Sequence, residues 1–186
     1  MCFVFVKLRS TVFKFAATKW SSRQDAIKKL AAYLESGPSF SEPSRLATAL
    51  LVVVKESTRG FKETNVNVTR AIMEFFLAVC DFHYTVGLLL VPWVMDDIIA
   101  LAVDKIGDKK LSALCKGLLL NVCLVRRPAE VITAIATRVE SVKSPLPHEE
   151  CQSWFKAFLN EFGASSLGSG IKEVVSWLLK VRNFSS

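Results

Sequence analysis

Three groups of side chains in this 186-residue sequence are of types that do chemistry. His148-Glu149-Glu150 sets an imidazole beside two carboxylates, the materials of general acid–base catalysis. Asp96-Asp97 offers a carboxylate pair. The cysteines (Cys2, Cys80, Cys115, Cys123 and Cys151), with His83 as the second histidine, could supply thiolates or soft metal ligands. Spacing argues against each. Glu149 and Glu150 fall in the first turn of a helix entered through Pro147, where acids stabilise the helix dipole. Adjacent aspartates on a helix point about 100° apart and do not converge on one substrate. The cysteines are odd in number, form no CxxC and mostly lie on apolar helix faces, as small core hydrophobes of a reducing compartment do. Neither histidine has ligand-type neighbours, and no Gly-rich phosphate loop or nucleophile–base spacing stands out. The expectation is a protein that is not an enzyme and holds no cofactor, metal or small-molecule substrate.

What remains is binding. The formal charge is +7 with pI near 9.3, which fits an acidic partner surface. The composition is 51% hydrophobic with 8 glycines, so the chain folds around a packed core rather than staying disordered. The opening "MCFVFVKLR" is broken by Lys7 and Arg9 and lacks a cleavage site, so it does not read as a signal peptide. Residues 86–103 are hydrophobic, but Asp96, Asp97 and Pro92 argue against a membrane span. A soluble cytoplasmic chain with no membrane partner is expected.

The elements that position the charges are helices. Apolar residues recur with helical period along nearly the whole chain, and strand-like alternation is confined to the first six residues. The pattern predicts pairs at about 8–18 with 21–36, 43–58 with 66–82, 86–106 with 109–124, and 128–142 with 147–162, then a last helix at about 170–181. Ser22 and Asp25 look like the capping start of the second helix. Pro128 and Pro147 open two others, and Gly163 closes one. Trp93, Trp154 and Trp177 are expected in the core.

The joints inside the pairs fall near residues 20, 63, 108, 144 and 183, a period of roughly 40 residues per two helices. That is the signature of HEAT-type, armadillo-like repeats stacked into an α-solenoid. The fold class expected is therefore all-α, about four and a half repeats. Stacking would line the within-pair joints along one edge, and each carries a base: Lys19, Lys62, Lys109 with Lys110, Lys143, then Lys180 with Arg182. Of the between-pair joints only "LVRRP" is basic. Any single lysine is explained by solvation of a helix turn. All five joints together read as a binding ridge, with Trp20 at one end.

The loops resemble those of a TOG domain, the tubulin-binding HEAT array of the microtubule-polymerase family, and most closely the internal TOG domains of its plant-like members. "KWSSRQDAIKKL" is similar to the family's Trp-x-x-Arg-x-x-Ala helix opening, and "FKETNVNV" at 61–68 to its second loop. "DKIGDKK" at 104–110 and "VKSPLPHEECQSWFKAFLNEFG" at 142–163 are similar to its third and fourth loops with the helices that follow. The match spans about residues 10–182, leaving 1–9 as an unmatched extension. The resemblance implies that Trp20 inserts against αβ-tubulin, with Lys19 and Arg23 beside it. Lys62, Thr64, Asn65 and Val66 would continue the contact, and Lys109, Lys110, Lys143 and Arg182 would meet the acidic tubulin surface. It also implies a role in microtubule plus-end growth and spindle organisation, in the cytoplasm and at the cytoskeleton.

Two departures stand out. Ser21 follows the tryptophan where the family usually has Lys, and the family's domains have about six helix pairs, so this chain is expected to stop within its fifth. The alternatives from other classes are a generic HEAT-repeat scaffold and a nucleic-acid-binding solenoid using the same ridge. Nucleic acid is disfavoured by the modest charge, the single aromatic joint and the absence of an Arg-rich stretch.

Overall fold

Helix boundaries follow local chemistry with few exceptions. The computed structural model describes residues 19–37 and 43–182. The helix expected at 8–18, the joint at 38–42 and the residues beyond Arg182 lie outside the described residues. Among the described residues all regular structure is helical. The helices are α1 (Trp20–Glu35), α2 (Pro43–Ser57), α3 (Val66–Thr85), α4 (Pro92–Lys105), α5 (Ser112–Val125), α6 (Pro128–Glu140), α7 (Pro145–Phe162) and α8 (Ile171–Arg182).

Four boundaries correct the sequence reading. Helix α1 begins at Trp20 with Lys19 as N-cap, and neither Ser22 nor Asp25 caps it. The Lys19 carbonyl already accepts the N–H groups of Ser22 and Arg23, which puts both residues inside the first turn. Helix α4 starts at Pro92 rather than near 86, because proline at the first position holds Val91 extended. Helix α7 starts at Pro145, two residues early, so Glu149 and Glu150 lie beyond its first turn. The expected linker 164–170 forms 3-10 turns over Ala164–Gly170, kinked at Gly168 (φ 47°, ψ −128°) and entered through Gly163 at φ 74°, a left-handed conformation that glycine adopts without steric cost.

The chain divides after Leu88 into two compact units. In the first, α1 packs along α3, and α2 touches both. The start of α1 and the residues before α3 are joined by an Arg23–Glu63 ion pair, so the two helices run side by side in the same direction. The core contains Ile27, Leu30 and Leu34 from α1, Leu51 and Val54 from α2, and Ile72, Phe75 and Phe76 from α3.

In the second unit α4 and α5 form an antiparallel hairpin, tied where the Leu90 N–H donates to the Val125 carbonyl at 2.9 Å. Helix α6 packs on α4, and α7 on α5. Ion pairs join the ends of α4 and α6 (Asp104–Arg138) and the starts of α5 and α7 (Lys116–Glu150), so each alternate pair is parallel. Within this unit α4, α5 and α6 each pack on the next helix and on the next but one, which is how helical-hairpin repeats stack. Trp154, Phe158 and Trp177 are almost fully buried, each worth roughly 1.5–3 kcal/mol or more of removed apolar surface.

Candidate binding edges

Each unit presents one edge built from its within-pair joints. In the first unit the apolar stripe of α1 (Ala26, Ile27, Leu30, Ala31 and Leu34) turns inward, and Trp20 lies off that stripe, 42% exposed, next to exposed Lys19. One turn further, Arg23 donates from Nε at 3.1 Å and from Nη2 at 2.9 Å to Glu63 Oε2. The two side chains are only 18% and 11% exposed. The other Glu63 oxygen accepts the backbone N–H groups of Thr64 (3.1 Å) and Asn65 (3.4 Å). Asn65 Oδ1 in turn accepts from the N–H groups of Asn67 (2.9 Å) and Val68 (3.3 Å), capping α3.

The loop is pinned upstream as well. Arg59, Gly60 and Phe61 all have positive φ, at 52°, 73° and 65°. Left-handed backbone costs a non-glycine residue about 1–2 kcal/mol. Burial of Phe61 edge-to-face on Phe76 (centroids 4.9 Å apart) offsets that cost, and its N–H donates to Thr58 Oγ1 at 3.2 Å. Lys62 and Thr64 are left exposed between the two anchors, while Asn65 and Val66 are half-buried.

In the second unit the joint 106–111 is folded on itself. Asp108 Oδ1 accepts the Lys110 N–H at 2.8 Å, and Leu111 plugs into the core, leaving Lys109 and Lys110 exposed. The neighbouring joint, 141–144, carries exposed Lys143 and Ser144. The joint 106–111 lies against the first turn of α7: a Cβ on Gly107 would lie 3.3 Å from Pro147 Cδ and 3.4 Å from Leu146 Cγ, so glycine permits the approach. Asp104 receives both Nε and Nη2 of Arg138, the closest pair at 2.7 Å. Glu150 accepts from Lys116 (2.6 Å) and Ser112 (3.1 Å), and the Lys116 hydrogen bond above all holds its carboxyl below the usual range.

The sequence-predicted residues therefore separate by role. Lys19, Trp20, Lys62 and Thr64 are exposed on the first edge, and Lys109, Lys110 and Lys143 on the second. Arg23 serves as a brace and Asn65 as a cap. Arg182 ends α8, its side chain outside the described residues. Both edges are mixed in charge, because Glu63, Asp104 and Asp108 sit among the bases. Sequence reasoning missed the Glu63 brace and the Phe61 anchor. The signal for the brace is the period itself: its partners are 40 residues apart, and those of the second unit 34 to 38.

Other candidates resolve structurally. His148 is buried and its Nε2–H donates to the Val142 carbonyl at 2.8 Å, fastening the joint that precedes α7. Burial pushes the thiols of Cys115, Cys123 and Cys151 up to about 12, which makes them poor nucleophiles. Trp93, expected in the core, is 38% exposed, because Val94, Met95, Ile98 and Ile99 form the inward face of α4. An open groove of about 410 Å³ between α4 and α6 is lined by Asp96, Ala100, Thr137 and Arg138 among others. No nucleophile–base arrangement lines it. Among the described residues no cluster of three His, Cys, Asp or Glu could hold a metal ion, and no helix is long and apolar enough to cross a membrane.

No family model, no curated protein and no solved structure matches the chain.

Proposed function

We propose that the chain is a TOG-type HEAT-repeat domain that binds αβ-tubulin through its within-pair joints, in the cytoplasm and on microtubules, and so contributes to microtubule growth and spindle organisation. One observation carries this reading: a half-exposed tryptophan at a helix entrance, preceded by exposed Lys19, with the loop that carries exposed Lys62 braced to the same helix rather than floppy. Hot spots in protein interfaces are rigid aromatics set on ordered backbone, since little entropy is lost when they dock. Lys19 and Lys62 beside Trp20 fit a partner whose surface is acidic, adding steering and register rather than most of the affinity.

A phosphate-backbone binder would carry its energy in the lysines instead. The test is gel filtration of the chain with soluble tubulin, wild type beside Trp20→Ala, at low and physiological salt. A complex weakened by about 30-fold or more in Trp20→Ala, with unchanged far-ultraviolet circular dichroism, supports the reading. Absence of a complex at both salts overturns it. A complex with tubulin that tolerates Trp20→Ala but is lost in Lys62→Ala with Lys109→Ala moves the site to the charges alone.

A further inference from the structure

We propose that Ser144 is the acceptor of a proline-directed protein kinase, and that its phosphate switches the edge of the second unit from attracting an acidic partner to repelling it. The regulatory half rests on the tubulin reading above; the acceptor assignment does not.

Of the six prolines, only Pro145 follows a serine or threonine, and Lys143 precedes that step. Ser144 lies in the joint between Glu140, the last residue of α6, and Pro145, the first of α7. Its backbone is extended, at φ −77° and ψ 136°, and residues 143 to 146 are all exposed. A kinase takes its substrate as an extended, accessible strand with a free hydroxyl, and this joint offers one. The Ser144 side chain makes no cap hydrogen bond to α7. The neighbouring serines are engaged: Ser141 Oγ donates to the Arg138 carbonyl at 2.7 Å and Ser112 Oγ to Glu150 at 3.1 Å.

The transfer is ordinary phosphoryl chemistry with ATP as donor. The Ser144 Oγ–phosphorus bond forms, the bond from the γ-phosphorus to the β,γ-bridging oxygen breaks, the hydroxyl proton passes to the kinase's base, and ADP leaves.

The consequence follows from what surrounds the hydroxyl. Lys143 is adjacent in sequence, and the contact of Gly107 with Leu146 and Pro147 holds the Lys109–Lys110 joint alongside. Exposed Asp108 and Glu149 already balance part of that charge. A phosphate adds about −1.5 to −2, enough to turn a slight positive excess into a negative one. The lysines would then pair with the phosphate instead of with a partner.

The experiment uses the full chain, a proline-directed kinase, ATP and soluble tubulin. A gain of about 80 Da on the wild type and none on Ser144→Ala establishes the acceptor. At physiological salt the phosphorylated chain should bind tubulin about 10-fold or more weakly than the unmodified chain or Ser144→Ala, the difference shrinking as salt rises. No incorporation into the folded chain, while the same kinase modifies a peptide of residues 139–150, overturns the acceptor assignment. Incorporation at Ser144 with unchanged tubulin binding overturns the switch. Failure of the unmodified chain to bind tubulin removes the tubulin reading and the switch together, while the mass gain still decides the acceptor.

Discussion

The two units solve one problem, holding consecutive joints in register, with different materials. The first uses a largely buried Arg23–Glu63 pair and a phenylalanine plug, and these free a tryptophan and two lysines to face outward. The second uses half-exposed pairs, Asp104–Arg138 and Lys116–Glu150, and its outward residues are lysines without an aromatic. Buried braces give a fixed platform for an aromatic anchor, whereas exposed ion pairs are screened and cheap to rearrange. On the proposed reading the first edge would serve affinity and the second charge, and charge is the property a phosphate can reverse.

The contrast breaks most sharply at the tryptophans. Trp154→Ala should cost about 3–5 kcal/mol of unfolding free energy, since it empties a fully buried site. Trp20→Ala should stay within about 1 kcal/mol of wild type in the same urea titration. A comparable loss for both would make Trp20 a structural staple and remove the anchor from the first edge.

Double-mutant cycles sharpen the comparison of braces. The coupling of Arg23 with Glu63 should reach about 1–2 kcal/mol, and that of Asp104 with Arg138, at 39% and 41% exposure, about 0.5 kcal/mol or less. Equal couplings would mean that burial does not separate the two edges. In the strained loop, Arg59→Gly should raise stability by about 0.5 kcal/mol, because exposed Arg59 at φ 52° pays for a left-handed backbone that glycine adopts freely. A loss of stability there would show that the arginine side chain does more than tolerate the turn.

The smallest effect concerns Glu150. The Lys116 hydrogen bond holds its carboxyl below the usual carboxylate range, so the stabilisation is present above that range and is lost as pH falls through the lowered native value. Lys116→Ala should therefore be less stable than wild type by about 0.5 kcal/mol at neutral pH, after screening, with the difference closing at more acidic pH. A difference that persists unchanged in acid would assign the loss to packing of the lysine stem.

Much of the fold was legible. The i, i+3, i+4 recurrence of Ile27, Leu30 and Leu34, and of Ile132, Ile135 and Val139, comes from burial on one helix face, and burial leaves its period in the sequence. Pro128 and Gly163 mark ends because their backbones allow little else, whereas Pro147, expected to open α7, lies inside it behind Pro145. The errors arose where local signals compete. Ser22 and Asp25 resemble a cap, but the Lys19 carbonyl starts the helix earlier. Trp93 looks apolar enough for the core, yet its position on α4 faces outward, which only the packing of α6 against that helix settles. Of the candidate edges, the lysines and Trp20 were visible as residue types; the roles of Arg23, Asn65, Glu63 and Phe61 were not.

By itself the sequence determined an all-helical chain, its period of roughly 40 residues and the residues offered at each joint, because these depend on interactions within a few turns. Only the tertiary structure decided which charges stand free and which are spent bracing one joint against the next. Those pairings join residues 34 to 40 apart, and a contact across such a distance exists only once the helices between have packed.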